Sequence, residues 1–429
     1  MKITLLSIYI FLGILSCNNG KKLATIIGDL YNQNDSVRYK GLEKLAAYDL
    51  TLNQQILLLN TAKDKFPKAK YEWESIPGKI IEIATKNPDT KLVEVIRNNF
   101  KDYDTIGKNA SLRFLSGFNN NASIQAFIDL ILKHPSEVSF FSTGILEKDY
   151  SYKDLIFPDL LNVIDHETLD ADILLLLLNY LNNNQIQAKD YVSYIDKLLA
   201  LSKKYRNILE DKQSLNVNTW DDGEYQNARY KSGIIEDLSG HFYGNQVIAE
   251  LTNYLKINDQ KIRMFSVISL IKLGQNIDSA IVNEIAADVE SRKWFFENLQ
   301  SLRKESIFPS RYKTQEAFAE SDIINWLLYP TELGRMPDAI ELMQVVQVDS
   351  ESDDGMVEFY LFRFKSNHED WIDNGWMAGV SGYFPVKFKP SVDSYGYTFS
   401  TFEKWDAKIP DEHVKEIRDL IKKSWEEEK

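Results

Sequence analysis

The stretch SNHEDWIDNGWMAG, residues 366–379, holds the residues best suited to chemistry. His368 and Asp370 stand beside two tryptophans, Trp371 and Trp376. A histidine next to carboxylates can transfer protons in general acid/base catalysis. Tryptophans next to carboxylates can equally bind a sugar by stacking and hydrogen bonding. A third interpretation is a polar loop that leads into a strand, with both tryptophans in the core of a small domain. No second motif places a substrate, which favours the core interpretation.

The other motifs with catalytic spacing are incomplete. The five histidines are scattered, and none has a second histidine four residues away, as a zincin would need. Gly379 and Ser381 suggest a nucleophile elbow, but Tyr383 stands where its last glycine belongs. We interpret this segment as a glycine-containing strand or bulge. The sequence has neither a Walker A nor a Rossmann glycine pattern, so we predict no catalytic residue and no cofactor.

An acidic segment follows the first predicted strand of the C-terminal region. Asp349, Glu351, Asp353 and Asp354 precede Gly355, loosely like a calcium loop. In an EF-hand the glycine comes one place earlier, and the loop joins two helices. Here the segment joins two strand-like runs, so a solvated hairpin tip is the better interpretation. We predict no metal site.

The longest polar interval of the preceding region is NVNTWDDGEYQNARYKSG, which starts at Asn216. Its centre, Trp220-Asp221-Asp222-Gly223, is a turn signal. We predict a long loop between helices, which divides the helical region into two blocks. An aromatic residue flanked by acidic ones could also mark a ligand-binding loop.

The N-terminus has the pattern of an export signal. Lys2 precedes an apolar run, residues 3–15, which is shorter than the roughly 20 residues of a membrane-spanning helix. A positive start, a short apolar segment and a small residue, Ser16, are typical of a signal peptide. We predict a signal peptide over residues 1–16.

The only cysteine, Cys17, follows that segment directly. Ile14-Leu15-Ser16-Cys17 resembles the lipobox of bacterial lipoproteins. The resemblance implies cleavage before Cys17, diacylglycerylation of its thiol, further acylation such as by palmitate, and a tether over residues 17–22. Several acyl chains give a stable membrane anchor. Position 18 is not the Asp that retains enterobacterial lipoproteins in the inner membrane, which favours the outer membrane of the cell envelope. The alternative is an ordinary cysteine in a conventional signal or short anchor.

Residues 23–328 alternate amphipathic stretches with short polar breaks. After Asn34-Asp35 come Val37-Arg38, and after Asn258-Asp259 come Ile262-Arg263. Each arginine is followed by a small residue at +3 and aliphatic residues at +4 and +7, which share one helix face. This resembles the second helix of a HEAT repeat, in which the Asp caps the helix N-terminus. The intervening stretches that begin at 91, 109, 123, 170 and 191 are also helical in period. We predict a HEAT-like α-solenoid, with an irregular helical bundle as the alternative.

The period changes after residue 328. Residues 341–349, 356–364, 376–384 and 395–402 are rich in β-branched and aromatic residues, and an amphipathic helix follows from about Pro410. We predict a small α+β domain over 329–429, with a four-stranded antiparallel sheet and a C-terminal helix. The predicted fold class is therefore mainly α, a helical solenoid followed by a small α+β domain.

Composition restricts the function further. The chain has 429 residues, 44% of them hydrophobic, and a net charge of −13, which disfavours a nucleic-acid partner. One cysteine permits no internal disulfide. We predict a membrane-anchored envelope scaffold that binds a protein partner through its helical repeats. The alternatives are a carbohydrate- or peptidoglycan-binding lipoprotein, or an envelope enzyme, either of them using residues 366–379.

Overall fold

The computed structural model describes residues 18–68, 75–138, 144–215, 218–349, 355–367, 375–392 and 398–427. The fold class is the predicted one, a mainly α helical solenoid followed by a small α+β part. The chain forms two compact units, residues 1–197 and 198–429. None of the described helices is long and apolar enough to cross a membrane.

The first unit is built from short helices. They are α1 (Asn18–Asp29), α2 (Asp35–Ala46), α3 (Leu52–Thr61), α4 (Ile76–Ala84), α5 (Thr90–Asn99), α6 (Thr105–Gly117), α7 (Asn121–Lys133), α8 (Lys153–Ile156) and α9 (Asp170–Asn182). Short 3-10 helices lie at Phe100–Asp102, Pro135–Glu137, Gly144–Glu147, Tyr150–Tyr152, Asp159–Val163 and Ala188–Tyr194.

Helix α2 shows why the repeat-like pattern folds as it does. A Cβ on Gly41 would lie 3.1 Å from Leu30 Cδ2 and 3.2 Å from Asp29 Cβ, so the small residue lets α1 approach closely. The N-cap of α2 lies one residue before the predicted one. Asn34, rather than Asp35, accepts the backbone N–H of Ser36, because Asn34 has the extended backbone that an N-cap requires.

The second unit begins with the helices that lead to the sheet. They are α10 (Ile195–Ser214), α11 (Gly223–Ser239), α12 (Asn245–Tyr254), α13 (Gln260–Lys272), α14 (Ser279–Ala287), α15 (Arg292–Ser301) and α16 (Gln315–Leu327). The first turn of α10 contains the boundary between the units, and 3-10 turns lie at Glu305–Ile307 and Ser310–Tyr312.

Helix α13 follows the predicted pattern closely. Asp259 caps it by accepting the backbone N–H groups of Lys261 and Ile262, at 3.1 and 3.2 Å. Ser266, the small residue, is fully buried against α11, where its hydroxyl donates to Glu236. The pattern therefore marks the face that packs on the neighbouring helix.

The sheet consists of β1 (Ala339–Asp349), β2 (Met356–Lys365), β3 (Met377–Pro385) and β4 (Phe399–Lys404), antiparallel and in that order. Phe362 pairs with Leu342 on one side and Gly379 on the other. The C-terminal helix is α17 (Pro410–Glu427), and 3-10 turns lie at Val386–Phe388 and Trp405–Ala407.

Both faces of the sheet are covered. Alternate residues of β2 point to opposite faces. Phe362 and Phe364 join a core shared with Phe318 and Ile323 of α16, while Phe359 belongs to a second core that includes two residues of α17, Val414 and Ile417. The structure changes from helix to sheet between Leu327, where α16 ends, and Ala339, where β1 starts, and the predicted domain boundaries stay predictions.

Three details refine the sequence expectations. Ser381 is fully buried within β3, as the strand interpretation of that segment predicts. Strand β4 starts at Phe399, later than predicted, and residues 393–397 lie outside the described chain. Helix α17 starts at Pro410, where the sequence predicts the C-terminal helix, and extends to Glu427.

Candidate binding cavity beside Trp220

Most of the lipidation and binding residues predicted from the sequence lie outside the described chain. Cys17, His368, Asp370 and Trp371 are among them, as is most of the acidic segment before Gly355. Their predicted roles therefore stay predictions. Among the described residues there is no group of His, Cys, Asp and Glu side chains that could hold a metal ion.

Trp376 is described, and its ring is engaged. It packs against the core between the sheet and α17. The guanidinium carbon of Arg363 lies 4.4 Å from the ring centroid, and Lys365 Nζ lies 5.2 Å from it. Cations over an indole ring interact favourably with its π-system. These contacts give Trp376 a packing role at the edge of the core.

A polar cavity of about 380 Å³ lies in the second unit, beside residues 218–222, which we call the Trp220 loop. Its walls come from the ends of helices and the loops between them, together with one residue of the segment that leads into β1. The lining residues are Gln213, Thr219, Trp220, Tyr225, Gln226, Arg229, Asn258, Asp259, Gln260, Asp288, Glu290 and Met336.

Hydrogen bonds and an ion pair hold the Trp220 loop. The backbone N–H of Trp220 donates to the Asn218 side chain at 3.3 Å, and Gln226 Nε2 donates to the Thr219 carbonyl at 2.9 Å. Asp221 pairs with Arg335, 3.1 Å away, in the segment before β1. The loop therefore has a defined position beside the cavity.

The floor of the cavity is an ion network centred on Arg229. Its Nε and Nη2 donate to the two oxygens of Asp259, at 2.7 and 3.1 Å. Its Nη1 and Nη2 donate to the two oxygens of Glu290, at 3.0 and 2.7 Å. All three nitrogens of the guanidinium are thus bonded to carboxylates, in the bidentate geometry that favours arginine.

Neighbouring groups extend the network. Tyr225 Oη donates to Asp259 at 2.9 Å, and Lys261 Nζ donates to Glu290 at 2.9 Å. Lys261 Nζ also lies 5.3 Å from the ring centroid of Trp294, while the Arg229 guanidinium lies 5.4 Å from that of Trp220. The N-terminal ends of α11, α13 and α15 are thereby linked through their side chains.

The pKa values follow from burial and pairing. Burial raises the pKa of Asp259 and of Glu290, but the charge and hydrogen bonds of Arg229 outweigh burial, so both values fall below their usual range. Burial lowers the pKa of Arg229, and the two carboxylates more than reverse that effect. Asp259, Glu290 and Arg229 are therefore all charged at neutral pH, and none is suited to exchange a proton.

Asp288 behaves differently. It accepts the backbone N–H of Ser291 at 2.9 Å, and burial raises the pKa of its carboxyl above the usual value. Together with the side chains of Gln226, Asn258 and Gln260 it supplies polar groups that face the cavity. The arrangement is suited to hydrogen-bonded recognition.

Sequence reasoning identified part of this site. It named Trp220 as a loop residue that could contact a ligand and Asp259 as a helix cap. It missed Arg229, Glu290 and Asp288, because their partners lie far away along the chain. Comparison of the chain with protein-family models, with curated proteins and with solved structures finds no match.

Proposed function

We propose that the protein is a lipid-anchored scaffold of the bacterial cell envelope, which binds a protein partner through its helical-repeat surface. The anchor is acylated Cys17, with the outer membrane as the favoured location. A helical repeat offers an extended surface that needs no catalytic centre.

The observation that carries the proposal is a set of exposed aromatic side chains on the helical part of the second unit. Tyr230, Tyr243 and Trp294 are 56%, 77% and 44% exposed. Tyrosine and tryptophan are the types that dominate the binding energy of protein interfaces. The exposure of these side chains favours an interaction surface.

Ion pairs between neighbouring helices support the same proposal. Lys272 pairs with Asp237 at 2.5 Å, Arg263 with Glu284 at 2.6 Å, and Lys293 with Asp322 at 2.5 Å. Such pairs fix neighbouring helices relative to each other before a partner arrives. A preorganised surface loses less conformational entropy on binding.

Site-specific photocrosslinking in intact membranes tests the partner. Benzoylphenylalanine is placed at Tyr230, Tyr243 or Trp294 of the full chain, and at exposed Leu420 of α17 as the control. We expect one discrete crosslinked partner from the three aromatic positions and none from position 420. Excess purified protein should compete the crosslink away. Diffuse products, or equal products from position 420, would refute the docking surface.

The anchor has a separate test. Cys17→Ser should abolish acylation and move the protein from the membrane fraction to the soluble fraction, because the thiol is the proposed attachment point. Labelling with an alkyne analogue of palmitate measures acylation directly. A Cys17→Ser protein that is still labelled and membrane-bound would show that the anchor lies elsewhere.

A further inference from the structure

The cavity beside Trp220 is large enough to hold a small ligand. Its volume of about 380 Å³ lies at the lower end of the roughly 300–1,000 Å³ that is typical of ligand sites. Arg335 and Gln226 hold the Trp220 loop in place beside it. A site of this size suits a compact polar molecule.

The charges of the cavity argue against an anionic ligand. Arg229 is the only cationic residue among the lining residues, and its three nitrogens are bonded to Asp259 and Glu290. A phosphate or carboxylate would have to displace a buried carboxylate to reach it. Breaking such a pair is costly, because it leaves a buried charge without a partner.

A cationic ligand is also disfavoured. The charges of Asp259 and Glu290 are balanced by Arg229 and Lys261. The remaining carboxyl, Asp288, already accepts the backbone N–H of Ser291 at 2.9 Å. Burial raises its pKa, which disfavours the ionised form. A lysine or arginine side chain would have to give up its hydration for this single carboxyl. A neutral ligand avoids that cost.

The available polar groups are amides and one carboxyl. Among the described residues, the Asn258 side chain forms no hydrogen bond, Gln226 uses its amide nitrogen alone, and Gln260 accepts only from Arg263, at 3.2 Å. Each amide that is left over can donate and accept. Such amides match hydroxyl groups, which also donate and accept hydrogen bonds. Trp220 adds an apolar ring surface of the kind that packs on the C–H face of a sugar.

We propose that this cavity binds a neutral polyhydroxylated ligand, a carbohydrate unit of one or two sugar residues, with Trp220 as the stacking residue and Asn258, Gln226 and Asp288 as hydrogen-bonding residues. The cavity is distinct from the exposed aromatics Tyr243 and Trp294, so the site stands whether or not a protein partner docks on them.

The test uses the full acylated chain in micelles of a detergent without a sugar headgroup, because a glycosidic detergent would compete. The probes are glucose, N-acetylglucosamine, cellobiose and chitobiose, titrated by tryptophan fluorescence and by calorimetry. We expect at least one probe to saturate, with a Kd of about 0.1–10 mM. Nα-acetyl-lysine amide, which keeps its charged ε-ammonium group, serves as the cationic probe, and inorganic phosphate serves as the anionic probe. Neither should bind.

Two variants and a matched control locate the site. Trp220→Ala and Asn258→Ala should each weaken the binding probe by about tenfold, which is about 1.4 kcal/mol. Asn227→Ala, at an exposed position of α11 outside the cavity lining, should leave the affinity unchanged. Because Asn258 is exposed, its replacement tests the site even if Trp220→Ala fails to fold.

Three outcomes would overturn the proposal. One is that no sugar probe saturates at 50 mM, a concentration chosen at about five times the weakest expected Kd. Another is that Nα-acetyl-lysine amide or phosphate binds and the sugars do not, which would assign the cavity to a charged ligand. The third is that Asn227→Ala weakens sugar binding as much as Asn258→Ala does, which would place the sugar elsewhere.

Discussion

Replacing Arg229 with methionine should destabilise the second unit by about 3 kcal/mol at pH 7. The substitution keeps most of the side-chain volume and removes the guanidinium that holds Asp259 and Glu290. The side chains of the three residues are 12%, 9% and 5% exposed, respectively. The loss of charge therefore leaves two carboxylates with little access to water.

The magnitude follows from what remains around the two carboxylates. Removing one partner of a buried ion pair typically costs about 3–5 kcal/mol. Glu290 keeps Lys261 at 2.9 Å, and Asp259 keeps the Tyr225 hydroxyl and two backbone N–H groups. These contacts place the expected loss at the lower end of that range.

The loss should depend on pH with a definite sign. In the wild type the folded pKa values of Asp259 and Glu290 lie below their unfolded values, near 4. Their contribution to stability is therefore fully present above about pH 5 and is lost as the pH falls through the folded pKa values. In Arg229→Met, burial without the guanidinium raises both pKa values, so protonation relieves the variant first. The deficit should shrink between pH 7 and pH 5.

Urea unfolding followed by tryptophan fluorescence measures this. All the tryptophans except Trp73 lie in the second unit, so the signal reports mainly on that unit. The midpoint converts to a free energy of unfolding if the slope is unchanged. The control is Arg418→Met, the same substitution at an exposed position of α17, which should change stability by no more than about 0.5 kcal/mol.

Either of two results would refute the reasoning. A loss no larger than that of Arg418→Met would mean that the network contributes nothing, as is common for exposed pairs. A loss of equal size at pH 5 and pH 7 would mean that methionine disturbs packing, and that the stranded carboxylates are not the cause.

Two further predictions concern a buried carboxyl and a glycine contact. Burial raises the pKa of Glu236 well above its usual value, which favours the neutral form of its carboxyl in the folded protein. Glu236→Gln should therefore gain stability relative to the wild type as the pH rises from about 4.3 towards 8. Urea midpoints across that range measure the difference. A Cβ on Gly78 would lie 2.6 Å from Ile106 Cγ2, whereas one on Gly117 would meet nothing within 4 Å. Gly78→Ala should therefore lose about 1–3 kcal/mol and Gly117→Ala should gain up to about 1 kcal/mol, as thermal unfolding followed by circular dichroism will show; equal effects would contradict the packing of α4 against α6.

The secondary structure could be predicted from the sequence because each element carries its own periodicity. Helix α13 has a cap at Asp259, a small residue at Ser266 and a leucine at 270, all within one short stretch. Strands β1 and β2 can likewise be predicted from their own segments, which are rich in apolar and β-branched residues. The start of α2 depends on the backbone conformation at Asn34 and Asp35. Either residue type can cap a helix, so the sequence alone does not say which of the two is the N-cap.

The cavity could be predicted only in part, because its parts meet across the chain. The Trp220 loop carries a local turn signal, but Arg229 meets Asp259 and Glu290 across separations of 30 and 61 residues. The chain has 50 lysines and arginines and 63 aspartates and glutamates, and no spacing rule says which of them pair. Arg229 lies on α11, Asp259 caps α13 and Glu290 precedes α15, so only the packing of these elements brings the three together.

The ion network also explains why the cavity is suited to a neutral ligand. Arg229 ties the N-terminal end of α13 and the loop before α15 to α11, so the walls are positioned before any ligand enters. Each charge used in this way is unavailable to a ligand, because releasing it would leave a buried ion without a partner. The groups left for recognition are those that the network does not need: the amides, the Asp288 carboxyl and the indole. A cavity whose charges are paired with each other therefore favours hydroxyls over ions. The sugar titrations test this effect of the network on ligand choice, and Arg229→Met tests its effect on the stability of the second unit.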